Sequence, residues 1–267
     1  MGRSQDLSGH FDRIASRYPR VRDTDPVVVE TIVSHLPRRL HPVDVADIGC
    51  GTGRYTDILA RRCACGLRIF CCDYSIAMLT ECSKRMRLEF PNKDIHYCRV
   101  CANDLPFADG SLDAVITFNA VHHFNLDLFV AEASRVLQTG GLLSIYTRTP
   151  EQNAHTIWGQ YFPGFTERET RLYRSEQLEA AIGLVSGLQL EGIQVFRNTR
   201  AESVKSLLNR ARSYHYSTFV LYPEEEFEIA TGRFADKLSK LSQDGRIEHT
   251  AENTLVLARR QATQLWL

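Results

Sequence analysis

Asp47-Ile48-Gly49-Cys50-Gly51-Thr52-Gly53 follows an apolar run at 43–48 and leads into a segment of helical pattern at 54–63. Glycines at alternate positions let a chain turn tightly and let a ligand approach bare backbone, where any Cβ would intrude. The stretch predicts a strand–loop–helix unit with a ligand-holding turn; a glycine-rich turn that holds nothing is the plainer alternative. A dinucleotide-binding loop uses the same geometry, but with glycines at relative positions one, three and six. Here position six is Arg54 and the third glycine comes one residue early, at Gly53. A carboxylate at Asp47 is also an awkward neighbour for a pyrophosphate, and suits a ligand bearing a cationic amine and a sulfonium better.

Outward from the loop, short apolar runs alternate with helical patterns. Strands are expected at 43–50, 67–73, 95–101, 112–118 and 142–146, and helices at 54–63, 75–90 and 126–137. Ser75 is placed to cap the second helix. The run at 112–118 is apolar on both faces, as a central parallel strand should be. Gly140-Gly141 is read as closing the third helix and opening the fifth strand. Alternation of this kind implies a parallel sheet with right-handed crossovers.

Beyond Thr149 the rhythm breaks. Residues 151–174 have no clear pattern, 175–184 reads as a capped helix, 188–196 as a sixth strand, 203–211 and 227–241 as amphipathic helices, and 254–258 as a last strand. The expected fold is α/β: a Rossmann-like, mostly parallel seven-stranded sheet with helices on both faces and helical lid insertions. One domain is expected over 1–267, with residues 1–40 covering the cofactor, 41–149 forming its binding core, and 150–186 and 200–245 covering the substrate.

Composition sets bounds. The 267 residues are 43% hydrophobic and 24% charged, ordinary for a globular enzyme. Lys+Arg and Asp+Glu both number 32, so no global field draws in a polyanion, which disfavours nucleic acid without removing a local basic patch. No run reaches the roughly 18 apolar residues of a membrane helix, and the polar start is unlike a secretion signal. All eight cysteines lie between Cys50 and Cys101, several in strand-like runs. They read as reduced, packing thiols of a cytoplasmic protein rather than a zinc or redox set, although Cys98 and Cys101 form a C-x-x-C and Cys63 and Cys65 a C-x-C.

Asp47-x-Gly49-x-Gly51-x-Gly53 resembles motif I of class I S-adenosylmethionine-dependent methyltransferases. Asp73 stands about twenty residues on, where that family keeps an acid on the ribose hydroxyls; a helix-capping Asp is its plainer reading. The block 102–107 followed by 109–113 is similar to the Gly-Asp-Ala-x-x-Leu-Pro-Phe block of ubiquinone- and menaquinone-biosynthesis methyltransferases, with Val100-Cys101 where the family has Gly-Asp. Asn119-Ala120-Val121-His122-His123-Phe124 resembles its Leu-His-His signature, and Phe11-Asp12-x-Ile14-Ala15-x-x-Tyr18 its opening segment. The resemblance covers residues 10–147. It implies S-adenosyl-L-methionine as cofactor, held by Tyr18, Asp47, Gly49, Cys50, Gly51, Gly53, Asp73, Tyr74, Ala102, Asn103 and Asn119, with no metal.

Methyl transfer from a sulfonium needs alignment above all, with a base only if the acceptor must lose a proton. His122 and His123 fall in the loop after the fourth strand, where parallel strands form their ligand crevice. One of them is a base or acceptor contact, His123 being preferred, or both are passive lining. Arg148, Trp158 and Tyr161, with His155, Phe162, Arg171, Tyr173 and Arg174 nearby, suit a planar or anionic acceptor, or pack an insertion onto the sheet. A small-molecule acceptor is the leading expectation. The Gly-Arg-Tyr run at 53–55 and residues 120–124 also resemble tRNA wobble-uridine methyltransferases, which keeps tRNA as the second. A nicotinamide-dependent oxidoreductase and a binding protein without turnover are the readings from other classes.

Overall fold

The computed structural model describes Gly9, Ala15 and residues 24–37, 41–62 and 66–262. Helix α1 (Pro26–His35) starts where the Asp25 side chain accepts the Val27 N–H, with Pro26 at the first helical position. The core then alternates β1 (Val43–Ile48), α2 (Arg54–Arg62), β2 (Leu67–Asp73), α3 (Ile76–Glu89) and β3 (Asp94–Arg99). After β3 come β4 (Leu112–Phe118), α4 (Leu126–Val136) and β5 (Leu137–Thr147). Ser75 caps α3 by accepting from Met78 N–H, and Asn125 caps α4 by accepting from Leu128 N–H.

Three short helices follow, α5 (Pro150–Ala154), α6 (Ile157–Tyr161) and α7 (Phe165–Arg168), then α8 (Ser175–Gly183). The chain closes with β6 (Leu188–Ser203), α9 (Val204–Arg212), α10 (Glu224–Leu241) and β7 (Arg246–Arg260). The seven strands form one sheet in the order β3-β2-β1-β4-β5-β7-β6. β1 to β5 pair in parallel, and β7 runs antiparallel to both β5 and β6. Every residue of β4 is buried, as its position in the middle of the sheet requires.

The chain reverses its direction across the sheet between β1 and β4, so a crevice opens at the carboxyl ends of these two strands. One apolar cluster packs on each face of the sheet, around Phe129, Val130 and Leu143 on one and Leu59, Ile69 and Met86 on the other. A third cluster belongs to the insertions: Trp158, Phe162 and Phe165 pack against Leu207, Phe219, Phe227 and Phe234.

Three boundaries differ from the sequence reading, each for a physical reason. β5 begins at Leu137, so Gly140 and Gly141 lie inside the strand, beside a register shift between Leu112 and Ala114 of β4. β6 continues past Phe196 to Ser203, paired with β7 down to Arg246. Thr147 of β5 pairs with Thr254, so 246–253 of β7 extend beyond β5 on the crevice side. That two-stranded ribbon has no apolar run to betray it; it carries α9 and α10, whose insertion therefore starts at Val204. Among the described residues, no helix is long and apolar enough to cross a membrane.

Candidate functional site

The loop after β1 is held from behind. Gly49 N–H and Cys50 N–H both donate to the Cys72 carbonyl, at 2.8 and 3.0 Å. Gly51 N–H donates to Asp73 Oδ2 at 2.8 Å, and Ser75 N–H to Asp73 Oδ1 at 2.9 Å. Asp73 thus ties the loop to the start of α3. Gly51 adopts φ 56°, a left-handed conformation that favours glycine. Among the described residues, a Cβ there would meet no atom within 4 Å, so the backbone is bare toward the cavity.

A cavity of about 500 Å³ opens over this loop. Asp25, Asp47 and Asp73 line its floor, with Tyr55 and Phe118 beside them. These two rings stack with centroids 4.3 Å apart. Asp47 is 1% exposed. Its Oδ2 accepts from Thr56 Oγ1 at 2.7 Å, while its Oδ1 has no hydrogen-bond partner among the described residues. Burial pushes its carboxyl from 3.8 to about 7, against the Thr56 hydrogen bond that lowers it. Burial also raises the Asp73 carboxyl, against hydrogen bonds from Ser75 and Gly51. Asn103, whose buried Oδ1 likewise has no partner, lines the wall together with Ala102 and Tyr74.

Asn119 follows β4 at φ 54°, unusual for a side-chain-bearing residue, and its N–H donates to the Tyr146 carbonyl at 2.7 Å. The 3₁₀ turn Val121–His123 follows and brings His122 and His123 to the cavity, with ring centroids 4.1 Å apart.

One stretch of the wall is lined by Arg148, Arg200, Arg210 and His249 with Trp158 and Tyr216. Arg210 forms an ion pair with Glu202 at 2.6 Å, and His249 Nε2 lies 3.1 Å from the same carboxylate. Burial would raise the Glu202 carboxyl, but His249 and Arg210 bring it down to about 2. Glu169, the acid on this wall, is held by Arg171 and Thr218. Arg148 donates to Tyr216 Oη at 2.9 Å, and to the Glu252 carbonyl and Asn253 Oδ1 at 3.2 Å each, with no carboxylate among its partners in the described residues.

The cavity therefore brings together Asp47, Gly49, Cys50, Gly51, Asp73, Tyr74, Ala102, Asn103, Asn119, His122, His123, Arg148 and Trp158. Tyr18 lies outside the described residues. Gly53 faces away from the cavity, against Cys82 and Met86. Tyr161 packs at the edge of the insertion core, with Lys237 Nζ 5.6 Å from its ring. Arg171 supports Glu169 from behind, and Tyr173 donates to the Phe124 carbonyl at 2.7 Å. Cys98 pairs in register with Cys72, while exposed Cys101 lines the cavity. Asn198, Arg200, His249 and Asn253 reach the site from the ribbon, and no signal in the sequence pointed to them.

Residues 46–145 match the family model described as a methyltransferase domain. Over those residues the chain carries a methyltransferase domain of the class I S-adenosylmethionine-dependent type. This methyltransferase is 37% identical over 117 residues to a Bos taurus protein named probable tRNA methyltransferase 9B, covering 42% of the chain and 23% of the relative. It is 29% identical over 193 residues to the ubiquinone biosynthesis O-methyltransferase of Brucella ovis, covering 69% and 74%. A solved geranyl diphosphate C-methyltransferase of Streptomyces coelicolor A3(2) shares its fold, with TM-score 0.56 and 19% identity over 88% of the chain and 75% of that structure. The chain spans under a quarter of the length of the tRNA-methyltransferase relatives it matches.

S-adenosyl-L-methionine is the family's methyl donor. The methyltransferase's own residues fit that group. Among the described residues, Asp47 offers a buried acceptor without a partner, Asn103 a second, and Gly51 a bare edge.

Proposed function

We propose that this methyltransferase transfers a methyl group from S-adenosyl-L-methionine to a small anionic acceptor seated under the insertions. The observation that carries the reading is Arg148. It lines the same cavity as Asp25, Asp47 and Asp73, yet has no carboxylate partner among the described residues. The acids suit a cationic donor, and a guanidinium not neutralised by a carboxylate suits an anion. When bound, the donor supplies an electrophilic methyl carbon.

The rest is positioning by the chain. Asp47 holds the donor's ammonium, Asp73 its ribose hydroxyls, and Ala102, Asn103 and Tyr74 flank its base. Gly49, Cys50, Gly51 and Asn119 shape the wall around its amino-acid end. Arg148 anchors the acceptor's anionic group, and Trp158 its apolar face. The insertion core above them excludes water, which strengthens every charge interaction inside. Holding the reactants in line is worth roughly 7–11 kcal/mol where alignment is good. Where the acceptor must lose a proton, His123 accepts it, with His122 beside it. The segmentation into a cofactor core over 41–149 and substrate covers over 150–186 and 200–245 belongs to the same proposal.

A second reading, methylation of tRNA, is favoured by the 37% identity to a protein of that name over 117 residues. The neutral net charge counts against it. Incubation with methyl-labelled donor, a library of small carboxylates and phosphates, and bulk tRNA separates the two. Label in a small acid is the expected result; label in tRNA alone overturns the leading reading.

A further inference from the structure

Cys50 in the glycine loop, Cys71 on β2 and Cys82 on α3 converge, their sulfurs all within 4.8 Å of one another. Two of these side chains are buried, and Cys50 is half-buried on the cavity wall. Two sulfurs on one trigonal ion at about 2.3 Å each stand roughly 4 Å apart, so the cluster is already near that spacing. Bare backbone at Gly53 makes the room: a Cβ there would lie 2.6 Å from Cys82 Sγ and 3.3 Å from the Met86 methyl.

We propose that Cys50, Cys71 and Cys82 form a three-thiolate site for a soft, thiophilic metal ion beneath the glycine loop. An all-sulfur ligand set selects soft ions over magnesium or calcium. Filling the site with a divalent ion breaks three S–H bonds, forms three metal–sulfur bonds and releases three protons to solvent, with no change of oxidation state. The inference is independent of the methyl-transfer reading.

Cadmium(II) alone, added to the reduced full-length chain, tests it. X-ray absorption on the wild-type protein reads the ligands directly, so the test does not depend on a variant folding. The expected result is one cadmium per chain with three sulfur neighbours, retained through gel filtration. Cys71→Ala and Cys82→Ala should lose the thiolate-to-cadmium absorption, while Cys98→Ala keeps it; melting curves establish that the variants are folded. No retained cadmium, two or fewer sulfurs, or undiminished absorption in folded Cys71→Ala and Cys82→Ala would overturn the proposal and leave the three thiols as core packing.

Discussion

Thr56 Oγ1 donates to one oxygen of the Asp47 carboxylate at 2.7 Å, leaving the other oxygen buried without a partner among the described residues. A fully buried carboxylate with half of its acceptor capacity unmet is costly to ionise. Under the proposed function, a cation that arrives with the ligand meets that unmet capacity.

That cost sets the stability of the free protein. The unfolded carboxyl titrates near 3.8 and the folded one near 7, so the unfolded state ionises first. Stability therefore declines as pH rises from about 4 to about 7, then levels. Asp47→Asn should melt with the wild type at about pH 4 and above it at about pH 8, by up to roughly 4 kcal/mol. Calorimetric melts at both values check this; equal melting at pH 8 contradicts it.

Asp73→Ala removes an acceptor of both Gly51 N–H and Ser75 N–H. Donor affinity should fall by about 1–3 kcal/mol, with a smaller loss of thermal stability. Asp73→Asn, which keeps an acceptor oxygen, should retain more of both. Titration of the three proteins with S-adenosylhomocysteine reads the ranking.

Gly51→Val places a β-branched side chain at φ 56° on the bare edge of the loop. The strain is on the order of 1–3 kcal/mol, small enough for the core to survive. Circular dichroism should show a folded protein, and calorimetry no donor binding.

Arg148→Ala should raise the acceptor KM by roughly 10- to 100-fold, as expected for lost hydrogen bonds to a charged group, while leaving donor affinity unchanged. Arg148→Lys should recover only part, because a point charge cannot reproduce the contacts to Tyr216, Asn253 and the acceptor together. An unaltered KM would detach the acceptor's charge from this wall.

The cofactor half was readable because its physics is local. Apolar runs, the Ser75 cap and the glycine spacing each act within a few residues, and β2 and β4 appear where their patterns end. The ribbon was not readable, since its strands pair mainly with each other beyond β5 and mix exposed polar residues with half-buried ones. Arg200 and His249 reach the cavity from it, and Arg210 from the helix it carries. Cys50, Cys71 and Cys82 read singly as packing residues; only the fold brings a loop, a strand and a helix to one point.

The most direct test is calorimetric titration with S-adenosylhomocysteine from about pH 5.5 to about pH 8.5. A bound ammonium favours ionised Asp47, so affinity should climb with pH and level off above about 7, with proton uptake by the buffer on the acid side. Asp47→Asn should bind more weakly and lose that slope. A wild-type affinity that is flat across the range, or a slope that survives in Asp47→Asn, would contradict the account.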